Sequence, residues 1–206
     1  MPKMSGGEAV VHGLIRNGVD VMFGIISVHT LHLFNVLRDV QDKLKLIGGR
    51  SELGCGFMAD GYARSTGTPG VISTSSGPGA ANSMHAMGEA YHSGSPILQI
   101  TTNIEQNLLN QGSGALHEPK EQLQMFNSVT GWNSSVDSVE LIPQKIDQAF
   151  NTFKTKIPRP AVLEISTNLL GDVCDVSITT KAETESEIID TNSIEKIADG
   201  LIESKR

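Results

Sequence analysis

Val71-Ile-Ser-Thr-Ser-Ser-Gly-Pro-Gly-Ala-Ala-Asn-Ser-Met-His-Ala-Met-Gly-Glu-Ala-Tyr-His92, followed closely by Ile97-Leu-Gln-Ile-Thr101, joins two short apolar runs through a glycine-rich turn and a helical pattern. Residues 71–74 and 97–101 have the length and β-former content of buried strands, and residues 80–92 repeat at helical spacing. Strand, helix, strand is the unit of a parallel sheet. The same alternation continues outward in both directions. Upstream, Ser5-Gly-Gly-Glu8 has capping-box form before Val10, Val11, Leu14 and Ile15, and residues 19–23 predict a strand that empties into the segment 24–30. A helix over 31–40, a strand over 44–47 and a helix over 52–64 follow. Downstream, a polar stretch over 103–120 precedes a short helix over 122–126, a helix over 143–156 and a strand over 161–165. The expected fold class is therefore α/β: three layers, with a mostly parallel sheet between helices on both faces. In such sheets ligands bind beyond the carboxyl ends of the strands, which places the loops after Phe23, Thr74 and Thr101 on one functional rim.

Composition narrows the classes of function. The 206 residues suffice for one substantial domain plus a tail, and the formal charge of -7 is opposite to that of a phosphate-binding nucleic-acid surface. No apolar run approaches the length of a membrane span, and residues 1–8 lack the pattern of a secretory signal, so no membrane partner and a cytoplasmic location are expected. Cys55 and Cys174 lack the spacing of a metal site and are read as small hydrophobes. From 175 to 191 the chain is polar and acidic like a linker, and Ile194, Ile197, Leu201 and Ile202 then mark a helix over 193–204.

The residues with chemical potential each admit a plain structural role as well. Ser76-Gly-Pro-Gly79 fits either a tight strand-to-helix turn or a turn whose backbone N–H groups approach a ligand. Glu52 opens a helix and is followed by Gly54, Cys55, Gly56, Phe57 and Met58, with no basic residue before Arg64. It is either an ordinary helix-start glutamate or a carboxylate in apolar surroundings, where desolvation and the helix N-terminus would act on its ionisation in opposite directions. The small residues Gly54, Gly56, Ala59, Gly61 and Ala63 in that helix invite a close neighbour, and Asp60 with Arg64 reads as a surface ion pair. His32, His85 and His92 suit surface or packing roles, whereas His29 and His117 fall in rim loops where ligand contact is as natural as packing.

Taken together, Glu52, Asp60-Gly-Tyr-Ala-Arg64, Gly67-Thr-Pro-Gly-Val71 and Ser76-Gly-Pro-Gly-Ala80 with Asn82 resemble, in order and spacing, the pyrimidine-binding domain of thiamine-diphosphate-dependent enzymes of the acetolactate synthase and benzaldehyde lyase group. The resemblance covers about the first 170 residues and implies thiamine diphosphate as cofactor. In that family the glutamate matched by Glu52 hydrogen-bonds N1′ of the aminopyrimidine, so that the cofactor serves as its own base. The resemblance further implies that Ser76, Gly77, Pro78, Gly79 and Asn82 brace the pyrimidine, that Ile25 and Ile26 flank the pocket, and that His29 and His117 handle protons or orient a carbonyl near the substrate. Two departures stand out: Ser51 stands where a histidine often precedes the glutamate, and Ile26-Ser27 stand where Pro-Gly often follows the first strand.

The family's magnesium-binding Gly-Asp-Gly motif has no counterpart here, which implies that magnesium and the diphosphate are held by a domain outside this sequence, and no metal ligand is assigned. Residues 1–174 are expected to form the pyrimidine domain, and 175–206 a linker and the start of a central domain. The implied assembly is a homodimer or homotetramer whose sites are completed by a partner subunit's diphosphate-binding domain, and the implied reaction is decarboxylation or carboligation of a 2-oxo acid. Two other functions fit the residues: a non-catalytic module that keeps the fold without the chemistry, and a flavodoxin-like nucleotide binder using the Ser75–Gly79 turn.

Overall fold

The computed structural model describes residues 2–155, 157–177 and 190–204. Its elements follow in the order β1 (Lys3–Ser5), α1 (Gly6–Arg16), β2 (Val21–Gly24), α2 (Leu31–Asp39), β3 (Lys45–Gly48), α3 (Glu52–Thr66), β4 (Gly70–Thr74) and α4 (Pro78–Ser93). They continue with β5 (Ile97–Asn103), α5 (Gln122–Phe126), β6 (Trp132–Val136), α6 (Ile142–Thr155), β7 (Ala161–Ser166), α7 (Thr167–Gly171), β8 (Val173–Asp175) and α8 (Thr191–Glu203). Six strands form one parallel sheet in the order β3-β2-β4-β5-β7-β6.

Successive side chains of a strand point to opposite faces, and here they feed two separate cores. Met22, Val71, Leu98, Ile100, Leu163 and Ile165 face α1, α2, α6 and α7, whose Leu14, Leu33, Leu37 and Ile146 are fully buried. Phe23, Ile72, Ile97 and Val162 face α3, α4 and α5, where Ala59, Met87 and Phe126 are fully buried. Each fully buried Val, Leu, Ile, Met or Phe side chain contributes roughly 1.5–3 kcal/mol through burial. The expected three-layer, mostly parallel architecture is what the chain adopts. α1 begins as its capping box dictates: Glu8 N–H donates to Ser5 Oγ at 3.2 Å, and Ser5 N–H donates to Glu8 Oε2 at 2.6 Å.

Elements without a strong pattern of their own were not legible. β6 reads Trp-Asn-Ser-Ser-Val and is a strand because it pairs with β7 at the sheet edge, not because its residues alternate. The three-residue β1 and β8 pair antiparallel, Met4 opposite Cys174, and Val176 N–H donates to Pro2 C=O at 3.0 Å. Cys55 is fully buried and Cys174 half-buried, both as free thiols. Most of the expected linker lies outside the described residues. The final helix forms as expected, and Ile194, Ile197, Leu201 and Ile202 on it are all exposed. Among the described residues no helix is long and apolar enough to cross a membrane.

The small residues of α3 serve two close approaches. An added Cβ on Gly56 would lie 2.5 Å from Ala86 Cβ on α4, and one on Gly70 at the start of β4 would lie 2.2 Å from Ala59 C=O. Gly54 and Gly61 face open space instead. Because the α3–α4 contact carries Glu52 toward Asn82, overpacking it should disturb both fold and site. Gly56→Val is expected to lower stability by about 1–3 kcal/mol, measured by urea denaturation.

Candidate active site

The sheet order reverses at β2: the chain moves outward to β3 and then returns across β2 to β4. At such a switch point the loops leaving adjacent strands diverge and open a crevice at their carboxyl ends. Three loops meet there. The 25–30 segment follows β2, Gly49 to Ser51 follow β3, and Ser75 to Gly77 follow β4.

Glu52 is the first residue of α3, where the unpaired N–H groups of the helix favour an anion. Its Oε2 accepts a 2.7 Å hydrogen bond from Asn82 Nδ2, and the same amide reaches Ser51 Oγ at 3.3 Å. Its Oε1 points toward the turn: an added Cβ on Gly79 would lie 3.3 Å from that oxygen and 3.0 Å from Ser75 Cβ. A side chain at 79 would fill the space in front of the carboxylate. The expected apolar surroundings are not what this chain provides, since Glu52 is only partly buried and its partners are polar.

The turn itself is held open by backbone conformation. Gly77 has φ +57°, a left-handed value suited to glycine, and an added Cβ there would lie 2.7 Å from His117 C=O. Pro78 then starts α4 with the φ that a helix needs. Ser76 Oγ is buried with no hydrogen-bond partner among the described residues, a donor and acceptor left for something else.

His29 and His117 do come together. Their rings are 5.6 Å apart at an angle of 33°, and His29 Nδ1 lies 3.2 Å from Ser75 Oγ. His29 is buried, and its C=O accepts from Thr167 Oγ1 at 3.0 Å. Burial pushes the His29 pKa below its ordinary value and the neighbouring His117 pushes the same way, while a hydrogen bond to the Leu116 carbonyl opposes both. His117 is exposed and has φ +60°, a strained backbone position of the kind found at functional loops. Contact therefore runs continuously from Glu52 through Gly79 and Ser75 to His29 and His117.

Ile25 packs against the α3–α4 core, whereas Ile26 is 63% exposed. Val28, Leu31 and Leu116, in or beside the loops that carry His29 and His117, are exposed as well, and Phe57 and Met58 are exposed on α3. Asp60 is buried and bonded to Arg64 at 2.8 Å, so this pair is half-sunk rather than a free surface contact.

Sequence reasoning missed the other side of the turn. Gln122, at 2% exposure, accepts from Gly77 N–H through Oε1 at 2.7 Å and donates through Nε2 to Thr102 C=O at 2.9 Å and Glu164 Oε2 at 2.7 Å. Burial pushes the Glu164 carboxyl up, partly offset by hydrogen bonds from Asn103 and Gln122. No local pattern marks Gln122, since its partners lie 45, 20 and 42 residues away.

A family model described as the thiamine pyrophosphate enzyme, N-terminal TPP binding domain, matches residues 4–127. The chain belongs to this family. The matched span runs from α1 through Glu52, the Ser76–Gly79 turn and Gln122, so thiamine diphosphate is the cofactor this domain type binds. The chain is 38% identical over 168 residues to a probable 2-ketoarginine decarboxylase of Pseudomonas aeruginosa, covering 82% of this chain and 30% of that protein. It is 30% identical over 186 residues to the mitochondrial acetolactate synthase catalytic subunit of Saccharomyces cerevisiae, covering 90% of this chain and 26% of the relative. It is 34% identical over 171 residues to the acetolactate synthase large subunit of Haemophilus influenzae, covering 80% and 28% respectively. The chain thus spans less than a third of the length of these relatives.

The residues at the crevice fit the aminopyrimidine half of that cofactor. A carboxylate with one oxygen committed to Asn82 and the other toward Gly79, an unpartnered Ser76 hydroxyl and a glycine at 79 whose side chain would fill the space in front of that carboxylate suit a flat, polar ring. Among the described residues no group of three His, Cys, Asp or Glu side chains could hold a metal ion.

Burial of neutral His29 makes the fold acid-sensitive in a definable window. Its folded pKa lies below the ordinary 6.5, so the unfolded chain takes up this proton first and stability falls as pH drops below about 6.5. His29→Gln should lose less stability than the parent over this window, measured by urea denaturation at a series of pH values.

Proposed function

We propose that this chain is the coenzyme-activating half of an active site, with Glu52 as its catalytic carboxylate. The observation that carries this is the placement of Glu52 Oε1 toward Gly79 while Asn82 fixes Oε2. Glu52 holds a proton at the pyrimidine ring nitrogen, and Asn82 fixes the carboxylate's orientation. Ser76, Gly77, Pro78 and Gly79 form one wall against the ring, and Ile25 and Ile26 flank it. When bound, thiamine diphosphate supplies the carbon nucleophile and electron sink for cleaving or joining bonds next to a carbonyl. His29 and His117, paired at the end of the same crevice, orient a substrate carbonyl and exchange protons with it.

The substrate class is a 2-oxo acid, decarboxylated or joined to a second carbonyl compound. One relative's name, 2-ketoarginine decarboxylase, supports that class. Magnesium and the diphosphate are held by a separate domain of a partner subunit in a homodimer or homotetramer, and the exposed Ile26, Val28 and Leu31 suit burial against a second subunit. Residues 1–174 are the pyrimidine domain, 175–206 a linker and the first helix of the next, and the location is cytoplasmic.

Calorimetric titration of thiamine diphosphate with magnesium into the intact protein carrying this chain tests the assignment. Binding is expected, and Glu52→Gln is expected to bind the coenzyme yet lose roughly 10²–10⁴-fold in turnover of a 2-oxo acid. Unchanged turnover in that variant would transfer the assignment to a non-catalytic module.

A further inference from the structure

We infer that Gln122 is a positioning residue for the coenzyme: its side-chain amide, oriented by Glu164, sets the Ser76–Gly79 turn in the geometry that the pyrimidine requires. The inference rests on the assignment of that turn to the coenzyme pocket and extends it to two residues on the far side of the sheet rim.

An amide oxygen and an amide nitrogen are nearly the same size, so only hydrogen bonding decides which way a glutamine side chain points. Here all three partners agree. Gly77 N–H requires an acceptor, and Oε1 supplies it at 2.7 Å. Thr102 C=O and Glu164 Oε2 require donors, and the two hydrogens of Nε2 supply them at 2.9 and 2.7 Å. The reverse orientation would aim two donors at Gly77 N–H and an acceptor at a carboxylate. Glu164 is itself buried within β7, on the sheet face that carries α3, α4 and α5. It therefore ties the loop to a strand two positions across the sheet from β4.

The backbone next to Gln122 is bent to deliver this side chain. Glu121 has φ +50° and His117 φ +60°, both non-glycine residues in left-handed conformations that persist where the surroundings over-determine them. The turn is thus clamped twice, by the His117 carbonyl packed against Gly77 and by Gln122 on its N–H. Gly79 and Ser75, which adjoin Glu52 and His29 respectively, lie within two residues of that clamped amide. A shift of the turn would change the space in front of Glu52 without removing a coenzyme-contacting group.

The test exchanges the two side chains in the intact protein. Gln122→Glu keeps an acceptor for Gly77 but sets two carboxylates against each other, while combining it with Glu164→Gln restores one donor and one carboxylate to the pair. Thr102 loses its donor in both backgrounds, so the comparison isolates the 122–164 interaction. Thiamine diphosphate affinity is read by calorimetry, and amide exchange at Gly77 is read by NMR in the coenzyme-free protein. Gln122→Glu is expected to weaken coenzyme binding by about tenfold or more and to speed Gly77 exchange, and the double exchange to recover most of both. Should Gln122→Glu not fold, Gln122→Met keeps the volume, offers Gly77 no acceptor and should show the same two losses. Coenzyme affinity unchanged in the single variants, or a double exchange no better than the single, overturns the inference while leaving the pocket assignment intact. A parent protein that binds no thiamine diphosphate overturns both.

Discussion

Glu52 and Asn82 lie 30 residues apart and meet through a 2.7 Å hydrogen bond because α3 and α4 pack with almost no side chain between them. The contact at Gly56 and Ala86 is close enough that one extra methyl group would collide. Both helices begin on the same rim of the sheet, Glu52 after β3 and Pro78 after β4, so bringing their axes together also brings together their N-terminal ends. The carboxylate, the amide that orients it and the glycines in front of it are all consequences of that approach. It is a tight and brittle arrangement, since close-packed interiors accommodate added volume poorly.

The polar groups around this contact are layered by burial. Deepest lies a set of hydrogen bonds between β4, β5 and α4: Thr74 Oγ1 donates to Thr101 Oγ1 at 2.9 Å, and Gln99 joins Thr74 to Ser83 at 3.0 and 2.9 Å. Satisfied groups of this kind fix one arrangement of their strands, because any other leaves a buried donor or acceptor unpaired. Above them lies the Ser75–Gly79 turn, with the unpartnered hydroxyl of Ser76. Outermost is a rim of exposed Ile26, Val28, Leu31 and Leu116. Polar order lies within and apolar surface without, and Glu52 sits between the two, only partly buried.

The amino-acid sequence by itself determined the fold class, through apolar runs of strand length alternating with helical patterns, and it put His29, His117 and the Ser76–Gly79 turn in loops of one rim and Glu52 at the start of a helix. These are local signals: a capping box at Ser5 and Glu8, a Gly-Pro-Gly turn, a glutamate opening a helix of small residues. It also carried the family resemblance, which the match over residues 4–127 bears out. Tertiary structure alone decided which of those residues touch. The His29–His117 pair, the Asn82–Glu52 bond and the Gly77–Gln122–Glu164 relay each span tens of residues, and Gln122 has no local feature that sets it apart from the other glutamines of the chain. β6 was illegible for the same reason, being a strand by virtue of its partner β7. Periodicity encodes what a residue does to its own backbone, whereas hydrogen bonds between distant loops depend on the sheet order, which only the folded chain expresses.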